Sequence, residues 1–525
     1  MRIINKTYSY YEHQYIENLY ELLKLNILRN PDDTSFSFKN GSTLISKSFY
    51  DVYSDVINLS NYFYKNYKHE HIGLIGENSY NWIITYLAIV LSGNVCVVMD
   101  KDCDDKFVYF MKKSNTKTVY YSSKYCAFIE KLKYNSFVLE DTSLYINKGK
   151  RCKNKYLDNI DNNALCSLFF TSGTTGMNKA VMLSQKNIAS DIYGASSLFK
   201  PNGSVISILP YHHAFGFITG VLKPFYYGKE VFINSSLKYI TRDLKEFKPN
   251  TLFVVPLFIE NFYKQIWKTA IKNKSDKKLD KAIALNKVLY SVGIDIRKTL
   301  FKDVRDFFGG NLEYIICGGA YLDKKYVKFF RNFGIEILNG YGITECSPVV
   351  SVNRNKYRRD GSIGIACRLD EVKIIDDEIC VKGPNVMLGY YKDKKATSEV
   401  LKNGYFHTGD LGYIDKDGFI FITGRKKNII ILSNGENISP EEIEEELIRD
   451  KGVSEVVVSE KDDKLVAFIY PEEEFLNDKD YFDSLIYNYN KNKPKNHQIA
   501  SVILRKTEFI KNSNKKIIRD KVMEE

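Results

Sequence analysis

Residues 168–188 read LFFTSGTTGMNKAVMLSQKNI, and the rest of the chain is interpreted outward from them. An apolar run at 168–170 leads into Thr171-Ser172-Gly173-Thr174-Thr175-Gly176, with Lys179 three residues further on. Small residues let backbone N–H groups approach an anion. Hydroxyls add donors, and a lysine adds a mobile positive charge. The combination predicts a phosphate cradle rather than an ordinary polar loop. A Walker A loop is disfavoured: Asn178 stands where its second glycine belongs and Ala180 where its metal-binding hydroxyl belongs. The dinucleotide fingerprint is absent too, because Gly340-Tyr341-Gly342 runs to Glu345 where that motif requires glycine.

Around this loop, short β-branched runs at 205–209, 251–255, 314–316 and 336–338 alternate with helical patterns as far as about residue 420. Such alternation predicts an α/β fold with mostly parallel sheets. Residues 82–99, WIITYLAIVLSGNVCVVM, carry no charge and approach the length of a membrane span. Ser92-Gly93-Asn94 interrupts them, so the expectation is a buried βαβ unit: strand 72–75, helix 80–91 ended by Gly93, strand 95–99. From about Glu371 the texture changes to short strands joined by Asp-Gly-type turns. A helix then starts at Ser439-Pro440, with Glu442 expected to complete a capping box. The strand-like stretches VSEVVVSE and KLVAFIYP, a helix near 481–488 and SVILRKT follow. The expected architecture is a large N-terminal domain, 1–425, of βαβ-containing subdomains and a small α+β C-terminal domain, 426–525, with the border near Gly424–Asn428.

Composition sets the outer limits. With 525 residues, 44% apolar and 27% charged, the chain is long enough for several domains and is neither disordered nor polytopic. The net charge of +12, from 76 Lys+Arg against 64 Asp+Glu, is modest. It suits anionic small molecules or a lipid surface without singling out nucleic acid. The nine cysteines are scattered with no CxxC pair, so reduced thiols in a cytoplasmic compartment are expected. The first twenty residues lack the apolar run of a secretory signal.

The phosphate-loop segment resembles the [YF]TSGTTGxPKGV motif of the adenylate-forming superfamily of acyl-CoA synthetases, luciferases and nonribosomal adenylation domains; only Asn178 and Ala180 depart from it. Further similarities follow in order: LPYHHAFGF (209–217), IICGGAYL (315–322), NGYGITECSP (339–348), GYFHTGDLGYID (404–415), ITGRKKNIIILSNGENISPEEIE (422–444) and NKKIIRD (514–520). The stretch 285–345 and the segment LSNGENISPEE are most similar to long-chain fatty acyl-CoA synthetases.

The resemblance implies two steps. A carboxylate attacks the α-phosphate of ATP to give acyl-AMP and pyrophosphate, and a thiol, that of coenzyme A, then displaces AMP. Positioning and charge neutralisation carry chemistry of this kind. It assigns Thr171, Ser172, Gly173, Thr174, Thr175, Gly176 and Lys179 to the phosphates. Gly318, Gly319 and Ala320 would admit the adenine edge, and Asn339, Gly340, Tyr341 and Gly342 would frame its face. Thr344 would contact the α-phosphate and Glu345 would bind Mg²⁺. Asp410 would accept the ribose hydroxyls, with Arg425 as a second contact. His213 would line the acyl entrance, its spacing from Leu209-Pro210 favouring it over His212. Lys516 would offset charge developing at phosphorus; the motif's preceding glycine is Lys515 here, and the register of Ile517, Ile518 and Arg519 favours Lys516. Lys427 falls at the hinge of a mobile small domain, and Ser433, Gly435 and Glu436 belong to a loop on the coenzyme A side.

Residues 264–281, KQIWKTAIKNKSDKKLDK, carry seven lysines. They predict a basic helix with Lys264, Lys268 and Lys272 on one face and Tyr263, Ile266, Trp267, Ala270 and Ile271 on the other. Peripheral membrane contact is one reading; an ordinary surface helix with solvated lysines is favoured. Two alternatives to an acyl-CoA synthetase stand beside the main reading: transfer of the adenylate to a carrier-protein thiol, and a non-catalytic nucleotide-binding homologue.

Overall fold

The computed structural model describes residues 9–522 apart from 102–105, 151–153, 172–177, 235, 433–436, 477, 492, 495–496 and 512–516. Two compact units form: residues 1–372, 381–406 and 416–420 make the first, and 373–380, 407–415 and 421–525 the second.

In the first unit a seven-stranded sheet runs, edge to edge, Gly389–Tyr390, Lys179–Ser184, Leu165–Thr171, Val95–Val98, His71–Ile75, Thr118–Tyr121, Asn135–Val138. From Leu165–Thr171 to the last of these the pairings are parallel. Strand His71–Ile75, helix Tyr80–Leu91 and strand Val95–Val98 form the expected βαβ unit. All but Asn81 of that helix is buried, as an all-round apolar helix demands. Ser79 caps its start by accepting from the Trp82 amide, and Gly93, at φ +78, turns the chain out of its end. Among the described residues no helix is long and apolar enough to cross a membrane.

A nine-stranded sheet of the same unit runs Ile365–Ala366, Val349–Val352, Glu336–Gly342, Tyr314–Cys317, Thr251–Val254, Val205–Ser207, Val231–Ile233, Thr34–Asn40, Thr43–Ser48. Its parallel centre brings the ends of Tyr314–Cys317 and Glu336–Gly342 side by side, Cys317 opposite Asn339. The two stretches that follow those strand positions, 318–320 and 340–342, carry the expected adenine contacts.

The second unit holds a three-stranded sheet, Val453–Lys461, Lys464–Pro471 and Ile499–Leu504. Ile443 and Leu447 from helix Pro440–Leu447 and Phe482 and Ile486 from helix Lys479–Asn490 share one core with its strands. The capping box expected at Ser439 does not form. The Ser439 hydroxyl instead donates to the Thr423 carbonyl at 2.8 Å and lies 3.1 Å from Glu441 Oε2. Donation to that longer-range carbonyl fixes where the Ser439 hydroxyl points, and its oxygen accepts no cap hydrogen bond.

The basic stretch also departs from expectation. It is not one helix: Pro256–Lys272 ends at Asn273, Lys274 takes φ +54, and Asp276–Ser291 begins a second helix. Ile266 and Ala270 are buried as expected, whereas Ile271 is exposed.

Candidate functional site

The phosphate loop closes a hairpin. Strands Leu165–Thr171 and Lys179–Ser184 are antiparallel, with Thr171 directly opposite Lys179. A Walker A loop leads into a helix N-terminus, so this strand–loop–strand geometry excludes it independently of the sequence mismatches. Ser172, Gly173, Thr174, Thr175 and Gly176 lie outside the described residues. The ammonium of Lys179 sits over the Tyr390 ring, 4.6 Å from its centre.

Tyr390 links the lysine to the acid. Its hydroxyl donates to Glu345 Oε1 at 2.8 Å, and the Met387 amide donates to the Glu345 carbonyl at 2.8 Å. Burial, then the neighbouring Glu345 carboxylate, push the Tyr390 phenol far above its ordinary range, so it stays a donor. Thr344 and Glu345 occupy a tight turn, Thr344–Cys346, after strand Glu336–Gly342. The turn leaves no room for a side chain at Gly342, where a Cβ would lie 2.2 Å from the Pro348 carbonyl oxygen. Tyr341 pairs with Ser351 on the neighbouring strand. Asn339 Oδ1 is buried with no hydrogen-bond partner among the described residues. Gly318 faces the Phe215 ring, 3.3 Å from where its Cβ would be, and Gly319 takes φ +86.

His212 and His213 lie just before a wide helical segment, Phe215–Leu222, of the kind often found at functional sites. His212 is buried, its Nε2 3.2 Å from Asp100 Oδ1. Burial, then His213 and Lys101, hold its pKa well below the usual imidazole range, so it is neutral. His213 is less buried, with its ring 4.2 Å from that of His212.

In the second unit, Asp410 and Arg425 form an ion pair, Oδ1 to Nε 2.7 Å, with Asp410 buried and Arg425 partly exposed. The turn carrying Asp410 is fastened at several points. Thr408 Oγ1 donates to the Ile379 carbonyl and accepts from the Asp410 amide. Gly409, at φ +74, donates its amide to Glu378 Oε1 at 2.8 Å. The other Glu378 oxygen meets Lys426 Nζ at 2.9 Å and His407 Nδ1 at 3.1 Å. Burial raises the Glu378 pKa, but the hydrogen bonds from Lys426, His407 and Gly409 outweigh it, and the carboxyl stays below its ordinary value. Lys427 lies in a short helical turn, Lys426–Asn428; burial, then Arg425, lower its pKa.

Residues 23–391 match the AMP-binding enzyme family, and residues 427–525 match the AMP-binding enzyme C-terminal domain. The chain belongs to the AMP-binding enzyme family. It is 30% identical over 311 residues to the long-chain-fatty-acid–CoA ligase FadD15 of Mycobacterium bovis, covering 56% of this chain and 52% of that protein. It is 30% identical over 402 residues to the long-chain-fatty-acid–[acyl-carrier-protein] ligase AEE15 of Arabidopsis thaliana, covering 62% and 53%. The chain therefore spans about half the length of the curated relatives it matches. In fold it resembles the o-succinylbenzoate CoA synthetase of Bacillus subtilis bound to its acyl-adenylate (TM-score 0.75, 18% identity, 95% and 97% of the two chains). It also resembles ATP-bound MatB of Rhodopseudomonas palustris (TM-score 0.77, 21% identity, 97% and 98%).

Within this AMP-binding enzyme, Thr171, Lys179 and Glu345 belong to the first unit and Asp410, Arg425 and Lys427 to the second. Ser433, Gly435, Glu436, Lys515 and Lys516 lie outside the described residues. Sequence reasoning missed Tyr390 and Glu378. For Glu378 a faint signal existed: strand alternation puts it on the same face as Cys380, two residues on. Glu378, Cys380 and His407 bring three metal-type donor atoms within 4.8 Å of one another. Lys426 already supplies a cation to that carboxylate, so the cluster is satisfied as a hydrogen-bonded brace. Glu345 is the better fit for Mg²⁺: a buried hard-oxygen ligand fixed by a phenol on the strand after Met387.

Proposed function

We propose that this AMP-binding enzyme is an acid–thiol ligase that activates a fatty acid with ATP and transfers the acyl group to coenzyme A. The observation that carries the reading is the linked set Lys179–Tyr390–Glu345, whose lysine pairs with Thr171 where the hairpin strands meet the phosphate-loop sequence. A cation and a buried carboxylate thus share one tyrosine, which supports the phosphate and metal roles proposed for Lys179 and Glu345. The names of relatives such as FadD15 support the fatty-acid class.

In the first step a carboxylate oxygen of the acid bonds to the α-phosphorus of ATP, and pyrophosphate leaves. Lys179 and the Thr171–Gly176 loop neutralise the leaving phosphates, Thr344 contacts the α-phosphate, and Lys516 offsets charge at phosphorus. Glu345 would hold Mg²⁺, which supplies charge neutralisation on phosphate oxygens. The orphaned Asn339 Oδ1 accepts from the adenine amino group, and Tyr341 covers the ring face. Asp410 accepts the ribose hydroxyls, with Arg425 holding that carboxylate in place. His213 lines the acyl entrance. In the second step the thiol sulfur bonds to the acyl carbon, its proton is lost, and AMP leaves.

The small domain, 426–525, turns about Lys427 between the steps, and Ser433, Gly435 and Glu436 then meet the coenzyme. The seven free thiols among the described residues support a reducing, cytoplasmic setting. A second reading, transfer to a carrier-protein thiol, draws on the similarity to AEE15. Mass spectrometry of products separates the two. Incubation with ATP, Mg²⁺, a panel of fatty acids and either coenzyme A or holo-carrier protein is expected to give acyl-CoA and AMP. Thioester on the carrier alone would favour the second reading, and no thioester on either would reject both.

A further inference from the structure

Helix Asp276–Ser291 is anchored on one side and unexplained on the other. Leu279, Ala282 and Ile283 pack on the core, and Asn286 is its one buried residue. These follow helical spacing and account for the inward face. The opposite face carries a second apolar stripe that folding does not use. Leu285, Val288 and Val292, spaced three and four apart, are 50%, 64% and 67% exposed, and Ile294 just beyond is 48% exposed. The same face, two turns toward the N-terminus, presents Lys277, Lys278 and Lys281, all exposed. Over residues 264–298 nine lysines and one arginine face only three aspartates, so much of the chain's positive charge gathers here.

We propose that this outward face docks on the surface of an anionic lipid bilayer. Aliphatic side chains flanked by lysines match that partner: the aliphatics enter the headgroup–acyl boundary while the ammonium groups meet lipid phosphates. Lysine stems extend over apolar surface with their heads in water, so the two sets of side chains work at one depth. A protein partner fits less well, because the centres of protein interfaces are depleted in lysine. The split of the basic stretch into two helices matters too. The break at Asn273–Lys274 gives Asp276–Ser291 its own direction, so its stripe is not the continuation of the core-facing stripe of Pro256–Lys272.

The test is co-sedimentation of the full chain with phosphatidylcholine–phosphatidylglycerol vesicles and with phosphatidylcholine vesicles alone. Binding to the anionic vesicles, weakened by added salt, is expected. A Lys277→Gln, Lys278→Gln, Lys281→Gln variant should bind more than about tenfold more weakly, and Val288→Asp about tenfold more weakly. Both should keep the wild-type Tm and the wild-type rate with a short, soluble acid, which separates this inference from the proposed reaction. Failure of the wild-type chain to bind anionic vesicles would overturn the proposal. So would equal binding by the folded variants, or a Val288-dependent dimer or protein complex without vesicle binding.

Discussion

At the scale of single residues, two carboxylates are held by cationic partners, Asp410 by Arg425 and Glu378 by Lys426. Asp410 is buried against Arg425, and removing it takes away the proposed ribose acceptor and the partner of that guanidinium. Asp410→Ala is expected to lower kcat/KM for ATP by about ten- to a hundredfold, the range of one charge-assisted hydrogen bond at ~1.5–3 kcal/mol. Steady-state kinetics with varied ATP measure this. Glu378 gives a pH prediction. Its folded pKa lies below the unfolded value, so its contribution to stability is present above about pH 4.3. That contribution is lost as pH falls through the lower, folded value. Melting temperature against pH should therefore fall less steeply on the acid side in Glu378→Gln than in the wild-type chain. Unchanged acid slopes would remove Glu378 from the role of brace. Glu345 and Asp410 could be nominated as candidates from the sequence because each sits in a contiguous motif. Tyr390 and Glu378 act on residues 45 and 31 positions away, and no local pattern records such a contact.

At the scale of elements, the close turn after strand Glu336–Gly342 is the most sensitive point. A methyl group at Gly342 would meet a main-chain carbonyl that has no side-chain freedom to move away. Gly342→Ala should destabilise by about 1–3 kcal/mol, as overpacking does. Gly220→Ala is the control: its nearest neighbour would be 3.7 Å away, an ordinary contact. Thermal unfolding of both variants checks this, and a Gly342→Ala Tm matching that of Gly220→Ala would contradict the reading of the turn. The βαβ unit at 71–98 was legible because an uncharged helix ending in Gly93 has few other readings. The helix start at 439–440 was legible too, but its capping chemistry was not. Ser439 answers to Thr423, on a strand brought near only by the fold. The break at Asn273–Lys274 escaped for the opposite reason: an unbroken lysine pattern conceals a left-handed residue.

At the scale of the whole molecule, family membership and the mixed α/β fold agree with what the motifs imply, and the chemistry now rests on the proposed division of labour. Lys516 is expected to serve adenylation alone. Lys516→Ala should lose acyl-AMP formation by more than about a hundredfold, the effect of removing one preorganised charge at a transition state. It should still form thioester from preformed acyl-adenylate. Loss of both half-reactions would place Lys516 in a different role. The most direct test of the central claim is acid-dependent ATP–pyrophosphate exchange on the full chain, run with Mg²⁺ and a panel of carboxylic acids of increasing chain length. Labelled pyrophosphate should enter ATP only when a fatty acid is present. Absence of exchange with every acid would contradict adenylation and leave a nucleotide-binding protein without this chemistry.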